Sequence, residues 1–176
     1  MTNQVIEAIC SRRSIRKYSN RSVETDKLVT VLEAGTYAPT GHNRQDPIIV
    51  AVRNSGIIKT LSRLNAGIMG TDSDPYYGAK VIILVFVPKV EDNPNAVQDG
   101  SLVLGNMMLA AHSLGLASCW INREKQMFST PEGKLLQERL GVDPAYEGLG
   151  ALSLGYPLKP NPKPLERKKD YYRIID

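Results

Sequence analysis

The sequence is poor in the residues from which most self-sufficient active sites are built. It has two cysteines, Cys10 and Cys119, and two histidines, His42 and His112. No C-x-x-C pair or Cys/His ligand cluster exists, so no metal site is expected. Two histidines make a histidine-based triad a poor reading. No P-loop lysine motif, no G-x-G-x-x-G after a strand and no G-x-S-x-G elbow occurs. The longest apolar run, Val81 to Val87, is far short of a bilayer span, so no membrane partner is expected. Thr2, Asn3 and Gln4 do not have the form of a leader peptide. With two thiols and no leader expected, a reduced, cytoplasmic protein is anticipated. If the chain is an enzyme without these motifs, the hard chemistry belongs to a bound cofactor and no side chain acts as catalyst.

What is present is an ordinary globular composition. The 176 residues are 42% hydrophobic and 23% charged, enough for one real core. The net charge of +4 is mild, but it is unevenly placed. Arg12, Arg13, Arg16, Lys17 and Arg21 cluster near the start, and Lys159, Lys163, Arg167, Lys168, Lys169 and Arg173 near the end. Two basic ends suit an anion held between them, or a generic basic surface. Nucleic acid is not expected as a partner. A binding module of that kind interleaves aromatics with its cations, and the Arg12–Arg21 stretch has only Tyr18.

Periodicity predicts helices over 2–11, 24–37, 56–70 and 97–114, and one starting at Thr130-Pro131 and stopping at Gly141. Strands are predicted over 48–52, 81–87, 117–121 and 149–154. Helix 97–114 has little polar face and is expected to be buried, with His112 as a packing residue inside it. Gly100 and Gly105 are expected to admit another helix. The fold class is α+β, read as one domain over 1–155. Residues 156–176 form a proline-rich basic C-terminal arm, because Pro157, Pro160, Pro162 and Pro164 forbid regular structure.

Three segments carry possible chemistry. Ser11-Arg12-Arg13-Ser14-Ile15-Arg16 follows a short helix. Forked guanidinium donors and a hydroxyl suit a phosphate monoester, and a solvated basic turn is the plainer alternative. The loop from Ala38 to Gln45 offers the amides of Asn43 and Gln45 to a flat heterocycle, or simply joins a helix to a strand. Trp120, the lone tryptophan, either packs on the core or borders a planar ligand.

Taken together, these segments resemble the nitroreductase family of flavoproteins. Arg12 to Tyr18 match an R-R-S-x-R/K-x-F/Y segment, and Ala38 to Gln45 match A-P-S-x-x-N-x-Q with Thr40 in place of Ser. Asp99 to Trp120 match D-x-x-x-x-x-x-N-x-x-L-A-A-x-x-x-G-L-G-x-C-W, with Asp99, Asn106, Gly115 and Cys119 in place. Gly155 to Arg167 match the Gly-Tyr-Pro start, prolines and late Arg of the family's tail.

The resemblance implies a central, mainly antiparallel sheet flanked by helices, and a homodimer with FMN at the subunit interface. It implies an arm that extends over the partner. It assigns Arg12, Arg13, Ser14, Arg16, Arg167 and the neighbouring Lys168 to the FMN phosphate and ribityl chain. Pro39, Thr40, Asn43 and Gln45 are assigned to a loop meeting the flavin of the partner subunit. Ser118 and Trp120 lie near the ring, and Asn65 near its pyrimidine. The implied activity passes electrons from NADH or NADPH through flavin to a small acceptor such as a nitroaromatic or quinone, in ping-pong fashion. A family relative with another reaction (an ene-reductase, dehalogenase or oxidase) and a non-catalytic binding module are the alternatives. The sequence departs from the family in following Gln45 with Asp46-Pro47 and no tryptophan, where acceptors would stack.

Overall fold

The computed structural model describes residues 2–176. Its centre is a four-stranded sheet in the order β1-β2-β4-β3, from β1 (Ile48–Val52), β2 (Val81–Pro88), β3 (Ala117–Ile121) and β4 (Tyr146–Gly155). Every pairing is antiparallel. Around it lie α1 (Gln4–Ser11), α2 (Thr25–Thr36), α3 (Ser55–Met69), α4 (Ala96–Ser113), α5 (Glu124–Ser129) and α6 (Pro131–Arg139).

The continuous apolar run of β2 is explained by cover on both faces. Side chains alternate along a strand. Val81, Ile83, Val85 and Val87 join one core cluster, with Leu28 and Val31 of α2 and Val103, Leu104 and Met107 of α4. Ile82, Leu84 and Phe86 join the other, with Leu61 of α3, Met127 and Phe128 of α5 and Leu136 of α6. Burying each such side chain contributes roughly 1.5–3 kcal/mol. The central strand therefore anchors the whole molecule.

The helix boundaries follow local chemistry. Asn54 caps α3 by accepting from the Ile57 N–H at 3.0 Å, and Thr130 does the same for Gly133 at the start of α6. Pro131 occupies the first turn of α6, as predicted. Gly35 in α2 leaves room for Met107 of α4: a Cβ there would lie 2.8 Å from its Cγ.

Several expectations need correction. Helix α5 was not predicted, because six residues are too few to display a period. Strand β4 is longer than the predicted 149–154, since its start at Tyr146 is only half-buried and polar. Helix α4 is not buried all round. It hides Asp99, Gly100, Val103, Leu104, Met107 and Ala111, while Leu102 is 47% exposed. Gly100 does not admit a helix. A Cβ there would meet Leu149 and Val87, so it lets the sheet approach, and Gly105 faces open space. His112 is not a packing residue within the core. It sits part-exposed at the end of α4 and bonds Ser11.

Candidate active site

Strand β3 lies at the edge of the sheet, and the N-terminal basic segment pairs with it. Ser14 bridges Ser118 in parallel, and Ile15 donates its N–H to the Ser118 carbonyl at 3.1 Å. The segment is held at its far end too. The Tyr18 hydroxyl sits 2.7 Å from Ile15 O and 2.7 Å from Ser153 Oγ. Ser19 donates to Tyr156 O at 2.8 Å, and Leu158 donates to Lys17 O at 3.1 Å. Burial raises the Tyr18 phenol above its ordinary range, so it remains a neutral donor. The backbone of Arg12, Arg13, Ser14 and Arg16 is thereby held beside Ser118 at the edge of the sheet.

The guanidinium groups at the start of this segment are only partly satisfied by the protein. Arg13 Nη1 donates to Cys10 O at 2.9 Å. Arg12 Nη1, Arg13 Nε and Arg13 Nη2 are buried and have no hydrogen-bond partner. Buried unpaired donors are costly, and charged ones more so. A dianion with several acceptor oxygens is the chemistry that satisfies them. His112 stands beside this pair, with its Nε2 2.7 Å from Ser11 Oγ. Burial, then Arg12 and Arg13, hold its pKa below the ordinary imidazole value.

Next along the segment, Arg16 lies with its guanidinium carbon 5.8 Å from the centre of the Tyr77 ring. Tyr77 belongs to the loop between α3 and β2, and its φ is +59°. Trp120 packs partly against the core, with its indole over Gly150 of the neighbouring strand. A side chain at position 150 would strike the indole nitrogen within 2.9 Å.

The loop from Pro39 to Gln45 is built differently. His42, Asn43 and Gln45 all have φ near +55°, the left-handed region that non-glycine residues rarely adopt. The loop is held by its surroundings. Buried Asp99 accepts from the Gly41 N–H at 3.0 Å and from Asn93 Nδ2 at 3.3 Å. Thr40 Oγ1 accepts from Gln45 N, and Gln45 Nε2 donates to Asn43 Oδ1 at 3.1 Å. Pro39, Asn43 and Gln45 are exposed. No hydrogen bond joins this loop to the Arg12–Arg16 segment of the same chain among the described residues.

Arg167 and Lys168 are not brought to the N-terminal cluster within the chain. Every residue from Leu158 to Asp176 is exposed. The prolines hold the arm extended and off its own core, with Leu165, Tyr171, Tyr172, Ile174 and Ile175 bare. The two ends meet earlier, at Tyr18–Pro157, Ser19–Tyr156 and Lys17–Leu158, and Asn161 Nδ2 of the arm lies 3.5 Å from His112 Nδ1 of α4.

Asn65 is completely buried, and a second polar centre surrounds it. Its Nδ2 donates to Asn122 O at 2.8 Å and to Glu124 Oε1 at 3.3 Å. Its Oδ1 accepts from Arg123 Nε at 3.0 Å. The Tyr76 hydroxyl donates to Glu124 Oε1 at 3.0 Å, and Glu124 Oε2 has no partner. Burial pushes the Glu124 carboxyl up to about 8, so it is largely protonated at neutral pH. Sequence reasoning named Asn65 but missed Tyr76, Arg123 and Glu124. A charged residue inside an unpredicted six-residue helix offered no signal of burial.

The profile of the nitroreductase family matches residues 9–73 and 71–156. The chain belongs to the nitroreductase family. Among its relatives is a protein of Archaeoglobus fulgidus provisionally named NADH dehydrogenase/NAD(P)H nitroreductase. That protein is 30% identical over 98% of this chain and 92% of its own. A nitroreductase from Bacteroides fragilis, solved with bound FMN, superposes with a TM-score of 0.91 at 31% identity, covering 99% of this chain and all of that one. A nitroreductase from Desulfovibrio desulfuricans, provisionally so named and solved in complex with FMN, gives 0.76 at 29% identity over both full chains. The antiparallel sheet with flanking helices is thus the family's fold. No helix among the described residues is long and apolar enough to cross a membrane.

Proposed function

We propose that this nitroreductase-family chain is an FMN-dependent oxidoreductase. It takes electrons from NADH or NADPH and passes them to a small acceptor such as a nitroaromatic or a quinone. The observation that carries this reading is the set of buried, unpartnered guanidinium nitrogens on Arg12 and Arg13 at the edge of β3. They fit the phosphate of FMN in charge and in number of donors. The bound FMN of two similar family structures supports the same assignment.

When bound, FMN supplies reversible two-electron chemistry that no side chain here provides. The chain's residues bind and orient. Arg12, Arg13 and Ser14 hold the phosphate, and Arg16 adds positive charge farther along the segment. Ser118 and Trp120 border the ring. Asn65, buried in its own chain, would act at the pyrimidine side through its neighbours. Donor and acceptor would use the flavin in turn, in ping-pong fashion.

The remaining site residues act across a homodimer. Pro39, Asn43 and Gln45 of the loop, beside half-buried Thr40, and Arg167 and Lys168 of the arm are exposed in their own chain. Each is assigned to the flavin pocket of the partner subunit, with residues 156–176 as an arm on the domain formed by 1–155. The unpaired Cys10 and Cys119 suit the reducing cytoplasm.

The test is direct. The purified protein carries a yellow flavin spectrum, and anaerobic NADH or NADPH bleaches it before acceptor restores it. A colourless protein that takes up no added FMN would overturn the assignment. A yellow protein that neither nicotinamide bleaches would reduce it to a flavin carrier.

A further inference from the structure

The polar centre around Glu124 sits at the end of β3, beyond Trp120. Its most unusual member is Arg123, whose φ is +83°. A non-glycine residue in that conformation persists only where its surroundings hold it, and such strain clusters at functional positions. Here the restraint is visible. Asn65 Oδ1 fixes Arg123 Nε at 3.0 Å. Asn65 is itself fixed by Asn122 O and Glu124 Oε1, and Glu124 by the Tyr76 hydroxyl. Neither Nη nitrogen of Arg123 makes a hydrogen bond or ion pair among the described residues. The guanidinium is thus held by its inner edge, and its outer donors are left for something else.

The choice of a buried carboxyl for this task has a reason. Glu124 is completely buried with Oε2 unpartnered, so the neutral acid is its stable form. A neutral acid anchors Asn65 and Tyr76 without neutralising Arg123. An ionised one would draw the guanidinium inward as a salt bridge. Asn65, meanwhile, has no exposed surface with which to touch a ligand.

We propose that Glu124, Tyr76 and Asn65 are positioning residues that aim the Arg123 guanidinium at the carbonyl edge of the bound flavin ring. The inference rests on the FMN reading above. Arg123 then supplies a cation and forked donors where negative charge accumulates on reduction, and Asn65 acts on the ring through it.

The experiment uses the FMN-loaded protein with Arg123→Ala, Asn65→Ala, Glu124→Ala and Glu124→Gln. FMN affinity is read by fluorescence quenching, and the midpoint potential by anaerobic dye equilibration. Arg123→Ala is expected to weaken FMN by about tenfold or more, the worth of one or two charge-assisted bonds. It also moves the potential to more negative values. Asn65→Ala and Glu124→Ala move the potential the same way although Arg123 is present. Glu124→Gln keeps the acceptor oxygen and returns it toward wild type. If Glu124→Ala does not fold, Arg123→Ala and Asn65→Ala decide the matter. An Arg123→Ala protein with unchanged affinity and potential overturns this inference while leaving the flavoprotein reading intact. A wild-type protein that binds no FMN overturns both.

Discussion

Ile15 donates its backbone N–H to the carbonyl of Ser118, 103 positions later in the chain, at 3.1 Å. That bond, with the Ser14–Ser118 bridge, pins an irregular basic segment against the edge strand β3. It fixes the backbone that carries Arg12, Arg13 and Arg16 beside Ser118. It also covers an edge that would otherwise present unpaired N–H and C=O groups.

The unpartnered donors of Arg12 make a prediction with two opposite signs. Arg12→Met removes a buried, unsatisfied guanidinium nitrogen. The FMN-free protein is therefore expected to gain up to about 1 kcal/mol of stability in urea unfolding. The same variant should lose FMN affinity by about ten- to a hundredfold, the value of a charge-assisted contact to phosphate. An Arg12→Met protein that retains FMN as tightly as wild type would remove the phosphate assignment.

Asp99 offers a second case, because it secures the strained loop from within. Asp99→Ala leaves the Gly41 N–H without its acceptor and the Asn93 amide with Asp46 alone. The expected loss is about 1–3 kcal/mol of global stability. Hydrogen exchange should rise selectively over residues 40–45, where three non-glycine residues hold positive φ. Uniform exchange changes across the chain would argue that Asp99 merely supports α4.

The Glu124 carboxyl gives the chain a pH signature. Its folded value is raised from about 4.5 to about 8, chiefly by burial. Tyr76, Asn65 and Arg123 face it, and Asp74 stands behind Tyr76. Between those two values the folded chain keeps a proton that the unfolded chain has released. Stability is therefore fully present below pH 4.5, falls as pH rises to about 8, and is flat above. Glu124→Gln is expected to abolish that slope. Urea midpoints from pH 5 to pH 9 on both proteins check it, and parallel curves would show that Glu124 does not carry the proton.

The sheet and the main helices were legible because their signals are long or repeated. The run Val81 to Val87 could only be a strand covered on both faces or a short buried helix, and its β-branched residues decide for the strand. Leu28, Val31 and Gly35 fall on one helical face and are the residues α2 buries. The N-terminal half of the site was legible for another reason: Arg12, Arg13, Ser14 and Arg16 are neighbours in sequence. The centre at Asn65, Tyr76, Arg123 and Glu124 was not. Its members come from α3, the loop before β2, and the turn from β3 into α5, and only tertiary packing collects them. Glu124 reads as a surface residue, yet it opens α5 on that helix's buried side. The exposure of Arg167 was equally invisible, because a sequence match says what a residue touches in an assembly but not through which chain.

The bare arm has a genetic consequence. With Leu158 to Asp176 exposed in their own chain, the proposed pockets each draw Arg12 from one polypeptide and Arg167 from the other. Two separately crippled alleles, Arg12→Ala and Arg167→Ala, would then rescue each other when co-expressed. Each hybrid molecule would hold one doubly damaged pocket and one wholly intact pocket, which neither parent can form.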